Sequence, residues 1–224
     1  MATTQPTFQG RVTALKPHAH RPRVRVYLDG RYAFSLAARL AEGLQVGQWL
    51  SAAQAQALLE ADAQARAVYA AAQWLARRPR SVAEIRQRLA RRGYPPAAID
   101  AALEQLQALG WLDDAAFARQ WVENRSAFRP RGRALLQAEL RRKGVPQAAI
   151  DAALAQVDDE ALALAAARKA LPRYRGLPWP VFARRLSAYL ARRGFPRALV
   201  HQVVRQMWHE AHPTAPEPEQ GAET

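Results

Sequence analysis

The side chains of this chain that could do chemistry are overwhelmingly basic. Thirty arginines and three lysines stand against 19 acids, a formal net charge of +14. They are grouped rather than scattered. Arg91-Arg92, Arg141-Arg142-Lys143 and Arg192-Arg193 each run straight into a glycine, and those glycines, Gly93, Gly144 and Gly194, stand 51 and 50 residues apart. Further basic residues precede each of these clusters, between the first and second helices of each repeat: Arg77, Arg78 and Arg80, then Arg125, Arg129, Arg131 and Arg133, then Arg173 and Arg175. A guanidinium is a planar fork that meets phosphate or carboxylate oxygens two at a time, and a field of this sign draws polyanions in. Nucleic acid is therefore the leading partner class. Heavy use of Ala and of Arg over Lys is also what a compositionally biased genome produces, but such bias does not explain the excess over acid.

The clusters before the glycines have a structural use as well. Cations in the last turn of a helix meet the negative end of its dipole, each contributing about 0.3–1 kcal/mol. Both roles hold together. The arginines between helices lack that use, and Phe128, Pro130, Tyr174 or Trp179 stands near several of them. They are candidates for phosphate or for a protein's acidic face.

Other constellations point away from catalysis. Asp113 and Asp114 sit where a helix begins, so they read as caps on free N–H groups at its positive end. His209 and His212 are three apart, whereas two imidazoles on one zinc need a spacing of four. Gly43 and Gly47 lack the lysine of a phosphate loop, and there is no G-x-S-x-G elbow. Cysteine is absent, which excludes disulfides and thiolate metal sites. No enzyme activity, cofactor or metal is expected. No apolar run approaches 18 residues and no charged-then-apolar leader opens the chain, so a soluble cytoplasmic protein is expected.

The elements that position the basic residues follow from periodicity. LARRGYPPAAIDAALEQL from Leu89, LRRKGVPQAAIDAALAQV from Leu140 and LARRGFPRALVHQVVRQM from Leu190 are one segment written three times, the mark of stacked repeats. Before each glycine, apolar residues four apart share a helix face: Ile85 and Leu89, Leu136 and Leu140, Leu186 and Leu190. The glycine then ends that helix in the left-handed conformation, with Tyr94, Val145 or Phe195 folding back, and Pro95, Pro146 or Pro196 opens the next. Ile99, Leu103 and Leu106 form its stripe, repeated at Ile150, Leu154 and Val157 and at Val200, Val204 and Met207. The first helices carry Val68, Ala72 and Leu75, then Phe117, Trp121 and Val122, then Leu162, Ala166 and Leu171. Strand chemistry is confined to the N-terminal part, where Val24, Val26 and Leu28 alternate with Arg23, Arg25 and Tyr27. Asp29-Gly30 then makes the tight turn to Tyr32, Phe34 and Leu36. Residues 9–15 suit a third strand. Ser51 and Gln54 form a capping box for an Ala-rich helix from residue 52.

The expected fold is mainly α: a right- or left-curved solenoid of three tandem three-helix repeats with a small N-terminal β-hairpin segment. Its divisions are 1–50 for the hairpin extension, 51–112 for a linker helix and first repeat, 113–158 and 159–210 for the second and third. A disordered, acidic, Pro-rich tail is expected over 211–224.

The repeated unit, GWLDDAAFA at 110–118, the W-V-x-x-R at 121–125 and ELRRKGV at 139–145 resemble the RecX family, regulators of the bacterial RecA recombinase. The likeness extends into VYLDGRYAFSL and covers most of residues 9–208. It departs in the third repeat, where Leu177-Pro178-Trp179-Pro180 enters the second helix. The resemblance implies a negative modulator that binds the RecA filament on single-stranded DNA and inhibits its ATPase, strand-exchange and coprotease activities. That is a role in the regulation of DNA repair, homologous recombination and the SOS response. It carries over Arg125, Arg141, Arg142 and Lys143 as contact candidates. Position and charge add Arg77, Arg78, Arg80, Arg91, Arg92, Arg129, Arg131, Arg133, Arg192 and Arg193. The expected partners are the RecA filament and single-stranded DNA, with double-stranded DNA as a further form, bound by a monomer without sequence preference. The alternative, carried by charge alone, is an autonomous nucleic-acid-binding helical repeat protein.

Overall fold

The structure is a computed structural model that describes residues 8–213. The alternating N-terminal residues form β1 (Gly10–Pro17), β2 (Arg23–Leu28), β3 (Arg31–Ala37) and the short β4 (Trp49–Leu50). They pair antiparallel in the order β3-β2-β1-β4, so the expected hairpin is two strands of a four-stranded sheet. Asp29 and Gly30 take positive φ angles of 47° and 79°, the mirror-image turn that matches strand twist. Val12, Val26, Leu28, Phe34, Leu36 and Leu50 form the sheet's core. The four-residue helix α1 (Ala38–Ala41) leads from β3 towards β4.

Helix α2 (Ala52–Leu75) starts at the expected capping box, with Ser51 N–H donating to Gln54 Oε1 at 3.0 Å and Gln54 N–H to Ser51 Oγ at 3.3 Å. It runs 24 residues without interruption. Its beginning serves the sheet through Ala55, Leu58 and Leu59, and its end serves the first repeat. The buried stripe there is Ala67, Ala70, Ala71 and Trp74 rather than the expected Val68, Ala72 and Leu75. Small side chains let a helix axis approach its neighbour closely, and α2 uses alanines for contact and one large Trp to close the end.

Eight further helices complete the three repeats: α3 (Val82–Arg91) and α4 (Pro96–Ala108); α5 (Asp114–Phe128), α6 (Arg133–Arg142) and α7 (Gln147–Leu154); α8 (Asp159–Ala170), α9 (Trp179–Ala191) and α10 (Arg197–Ala211). The stop between second and third helix is the same each time. Gly93, Gly144 and Gly194 have φ of 78°, 70° and 82°. Their N–H groups donate to Ala90, Arg141 and Ala191 at 2.9 Å, and those of Tyr94, Val145 and Phe195 to Leu89, Leu140 and Leu190 at 3.3, 3.2 and 3.5 Å. These two bonds retire carbonyls that the helix cannot use itself. All six leucine and isoleucine positions ahead of the glycines, from Ile85 to Leu190, are 0% exposed. In the third repeat Pro178 is the N-cap of α9 and Pro180 lies in its first turn, where a missing N–H breaks no helical bond. Leu177–Pro180 therefore leaves the core of Phe182, Leu186 and Leu190 intact.

The chain divides into two compact units, residues up to Arg80 with Glu84–Leu112, and Ser81–Ala83 with Asp113 onward. Within the second unit the paired aspartates act as joints. Asp113 caps its own helix through Ala115 and Ala116 N–H (2.7 and 3.1 Å), while Asp114 accepts from Val82 N–H (3.0 Å) and so caps α3. Asp158 and Asp159 repeat the division of labour, with Glu160 and Ala161 N–H on the former and Arg133 N–H on the latter (2.7 Å). The capping expectation thus holds for Asp113, and Asp114 caps a different helix from the one it begins. Ser81 Oγ donates to Lys143 O at 2.5 Å and Gly132 N–H to Arg193 O at 2.8 Å, the same joint one repeat on. Helix α10 carries the chain through Ala211 as helix, and the remainder of the expected disordered tail, from residue 214, lies outside the described residues.

Candidate functional site

The first unit contains a cleft of about 860 Å³ bordered by the β3 end of the sheet, the last turns of α2, and α3. Eight of its sixteen lining residues are arginines, among them Arg21, Arg39, Arg77, Arg80, Arg88 and Arg92, and none is a carboxylate. Helix geometry explains the α2 wall: Arg66, Tyr69 and Gln73 fall at intervals of three and four, one stripe of the helix, with Arg77 just past its end. Buried Trp74 gives the arginines a seat, with the guanidinium carbons of Arg88 and Arg92 over its ring at 4.7 and 5.1 Å from the centre. A cation over an aromatic ring is held in place while its remaining N–H groups stay free to bond. Tyr94 is held by its hydroxyl, which donates to Arg66 O at 3.3 Å. Tyr69 is 69% exposed. Next to this open surface Asp62, buried, binds Arg23 through both nitrogens (3.1 and 3.0 Å), Arg66 Nε (2.9 Å) and Ala37 N–H (2.8 Å). Its oxygens are spent there. Arg80 Nε is buried with no hydrogen-bond partner among the described residues. Burial, then the neighbouring Arg78 and Arg88, pull the Arg80 guanidinium below its ordinary pKa; Glu84 opposes them and Arg77 adds least.

In the second unit the basic residues surround Glu139, which is 5% exposed on α6. It accepts from Trp121 Nε1 (2.8 Å) and Arg125 Nε (3.2 Å) and is in direct ionic contact with Arg131. Arg125 and Lys143 cover the Trp121 ring at 4.2 and 4.4 Å. Burial, then Arg125, Arg193, Arg129 and Arg142, lower the Arg131 pKa; its contact with Glu139 makes it a paired cation all the same. A separate cleft of about 460 Å³ is lined by Arg129, Arg131, Leu135, Arg192 and Arg193. Arg193 lies over Tyr189 at 3.7 Å.

The expected contact residues accordingly divide. Arg77, Arg80 and Arg92 meet in the first cleft, and Arg129, Arg131, Arg192 and Arg193 in the second. Arg125 and Lys143 are drawn into packing around Trp121. Arg78 turns to Glu84 at 3.5 Å, Arg133 Nη2 to Val157 O at 2.8 Å, and Arg141 Nε to Gln147 Oε1 at 3.0 Å. Arg91 and Arg142 are exposed outside both clefts. Sequence reading missed Arg21, Arg23, Arg39, Arg66, Arg88 and Tyr69. The signal that could have found some of them is the polar stripe Arg66, Tyr69, Gln73 and Arg77 in an otherwise alanine-rich helix. Among the described residues no three His, Asp or Glu stand close enough to hold a metal ion, and no helix is long and apolar enough to cross a membrane.

Comparison with known proteins bears on the repeats. Family profiles described as RecX, first, second and third three-helix domain match residues 67–106, 113–154 and 158–204, in that order. A regulatory protein RecX of Thermobifida fusca is 39% identical over 148 residues, 65% of this chain and 80% of the relative. One of Levilactobacillus brevis is 31% identical over 202 residues, 86% and 74% of the two. The chain spans about half, 56%, of a Lactobacillus delbrueckii relative to which it is 35% identical. A crystal structure of regulatory protein RecX superposes with a TM-score of 0.67 at 26% identity, covering 88% of this chain and 98% of that one. With the three repeats matched in order by the three domain profiles, the chain belongs to the RecX family of regulatory proteins.

Proposed function

We propose that the chain is a negative modulator of RecA, which binds the RecA filament on single-stranded DNA and lowers its ATP hydrolysis, strand exchange and coprotease activities. By doing so in the cytoplasm it restrains recombinational repair and the SOS response. Membership of the RecX family through all three repeats carries this reading. The charge supports it: a surface of net +14 associates rapidly with a polyanionic filament, and the mode of action is contact rather than bond chemistry. Arg142 and Arg192 suit such contact, since both are exposed and neither has a side-chain partner among the described residues.

The test is RecA's DNA-dependent ATP hydrolysis with the purified chain at stoichiometric amounts. Hydrolysis is expected to fall, and an unchanged rate sinks the proposal. Arg142→Glu with Arg192→Glu is the sharper variant. Unlike Lys143, which packs on Trp121, these two can change sign without disturbing a core. Half-inhibition is then expected to need about tenfold more protein, which corresponds to about 1.4 kcal/mol lost from two charge contacts.

A further inference from the structure

The cleft of the first unit holds more cations than the fold uses. Asp62 accounts for Arg23 and Arg66, Trp74 seats Arg88 and Arg92, and the remaining guanidinium groups line the same cleft of about 860 Å³. We propose that this cleft binds a segment of single-stranded nucleic acid, laying a base on Tyr69 and its phosphates against Arg77, Arg80 and Arg92. The proposal deepens the DNA contact of the function proposed above and rests on that reading for its setting, though binding itself needs no recombinase.

Three observations select this ligand. Phosphate takes forked donors held in place, and Arg88 and Arg92 are positioned over the Trp74 ring at 4.7 and 5.1 Å. An acidic peptide would satisfy the same charges, but it gives no use to a tyrosine 69% exposed in their midst; a base does, because every base has a stacking face. A duplex hides its base faces, so the exposed ring favours a single strand. The lowered pKa of Arg80 fits as well: burial is its largest cause, and the next, crowding by Arg78 and Arg88, is relieved by an entering anion. Arg21, Arg23 and Arg39 stand before residue 67, where the match to the RecX domains begins, so the cleft is completed by the sheet that precedes the repeats.

The experiment is fluorescence anisotropy of a labelled oligothymidylate of about ten nucleotides with the full chain, without RecA, across a range of salt. Tyr69→Ala is expected to weaken binding about 5- to 150-fold, the range of one lost base stack, while Tyr69→Phe keeps the ring and the affinity. Arg77→Ala is expected to lower the slope of log affinity against log salt by about 0.7, one phosphate contact on a single strand. Both side chains are exposed and outside the cores, so the variants fold. Unchanged binding by Tyr69→Ala and Arg77→Ala overturns the proposal. So does polyglutamate displacing the oligonucleotide as well as unlabelled strand does, which makes an acidic protein face the occupant. RecA hydrolysis assayed in parallel separates the two readings: a wild-type chain inert on RecA that still needs Tyr69 for the oligonucleotide keeps the cleft and removes the modulator.

Discussion

Asp62 in the first unit and Glu139 in the second are nearly sealed from solvent, 2% and 5% exposed, and each holds two arginines. Around Glu139 the nearest cations and the aromatic are consumed, since Arg125 and Lys143 lie on Trp121 and Trp121 Nε1 bonds the same carboxylate, and only Arg129, Arg192 and Arg193 beyond them are left to the second cleft. Asp62 instead ties sheet to helix through Ala37 N–H and leaves the next arginines to an open cleft with an exposed tyrosine. A buried ion pair stabilises little relative to an apolar pair but is costly to break. An arginine is therefore informative about function only once its carboxylate has been found, and within each unit the same residue type serves both a buried carboxylate and an open cleft.

The comparison breaks most visibly at Glu139. Glu139→Ala leaves Arg131, Arg125 and Trp121 Nε1 without their acceptor, and a loss of about 3–5 kcal/mol is expected. Thermal unfolding should show it as a fall of roughly 6–20 °C. Tyr69→Ala and Arg77→Ala remove side chains that the first unit does not use, so they are expected to stay within about 0.5 kcal/mol of wild type. If they destabilise the protein by several times that, the cleft is structural and the contrast with Glu139 fails.

How much of this was legible in the sequence depends on range. The helix ends at Gly93, Gly144 and Gly194 and the turn at Asp29-Gly30 are local events set by residues within a few positions, and each stands where the pattern put it. The second role of the aspartates was hidden because Asp114 serves Val82, 32 residues away, and nothing local announces that. The site failed for the same reason. Whether Arg125 or Arg77 meets a carboxylate depends on a partner on another helix, so clusters read along the chain were divided by the fold. The first cleft joins residues from Arg21 to Tyr94, a set with no sequence period.

Of intermediate size is the contrast among the repeat glycines. A Cβ on Gly93, in the first unit, would meet nothing within 4 Å, whereas one on Gly194, in the second, would collide with Leu135, its Cβ at 2.5 Å and its N at 3.1 Å. Gly93→Ala therefore incurs only the left-handed backbone, about 1–2 kcal/mol. Gly194→Ala adds overpacking of about 1–3 kcal/mol. Chemical denaturation of the two variants measures the difference, and equal losses would mean that the joint between second and third repeats yields where its geometry says it is tight.

The smallest effect is the most diagnostic of the first unit. A cation whose folded pKa lies below its unfolded value disfavours folding while it is charged, and that cost disappears only as pH rises past the folded value; Arg80, as an arginine, is charged at neutral pH. At pH 7 its charge is thus a liability that a bound anion removes. Pyrophosphate at constant ionic strength is expected to raise the melting temperature of the wild type by about 1–2 °C, the shift that about 0.5 kcal/mol produces near half-saturation. Arg80→Gln is expected to melt no lower than wild type and to lose most of that response. A variant that melts several degrees lower would show that Arg80 is held by the fold as Arg131 is, and that the two clusters differ less than their carboxylates suggest.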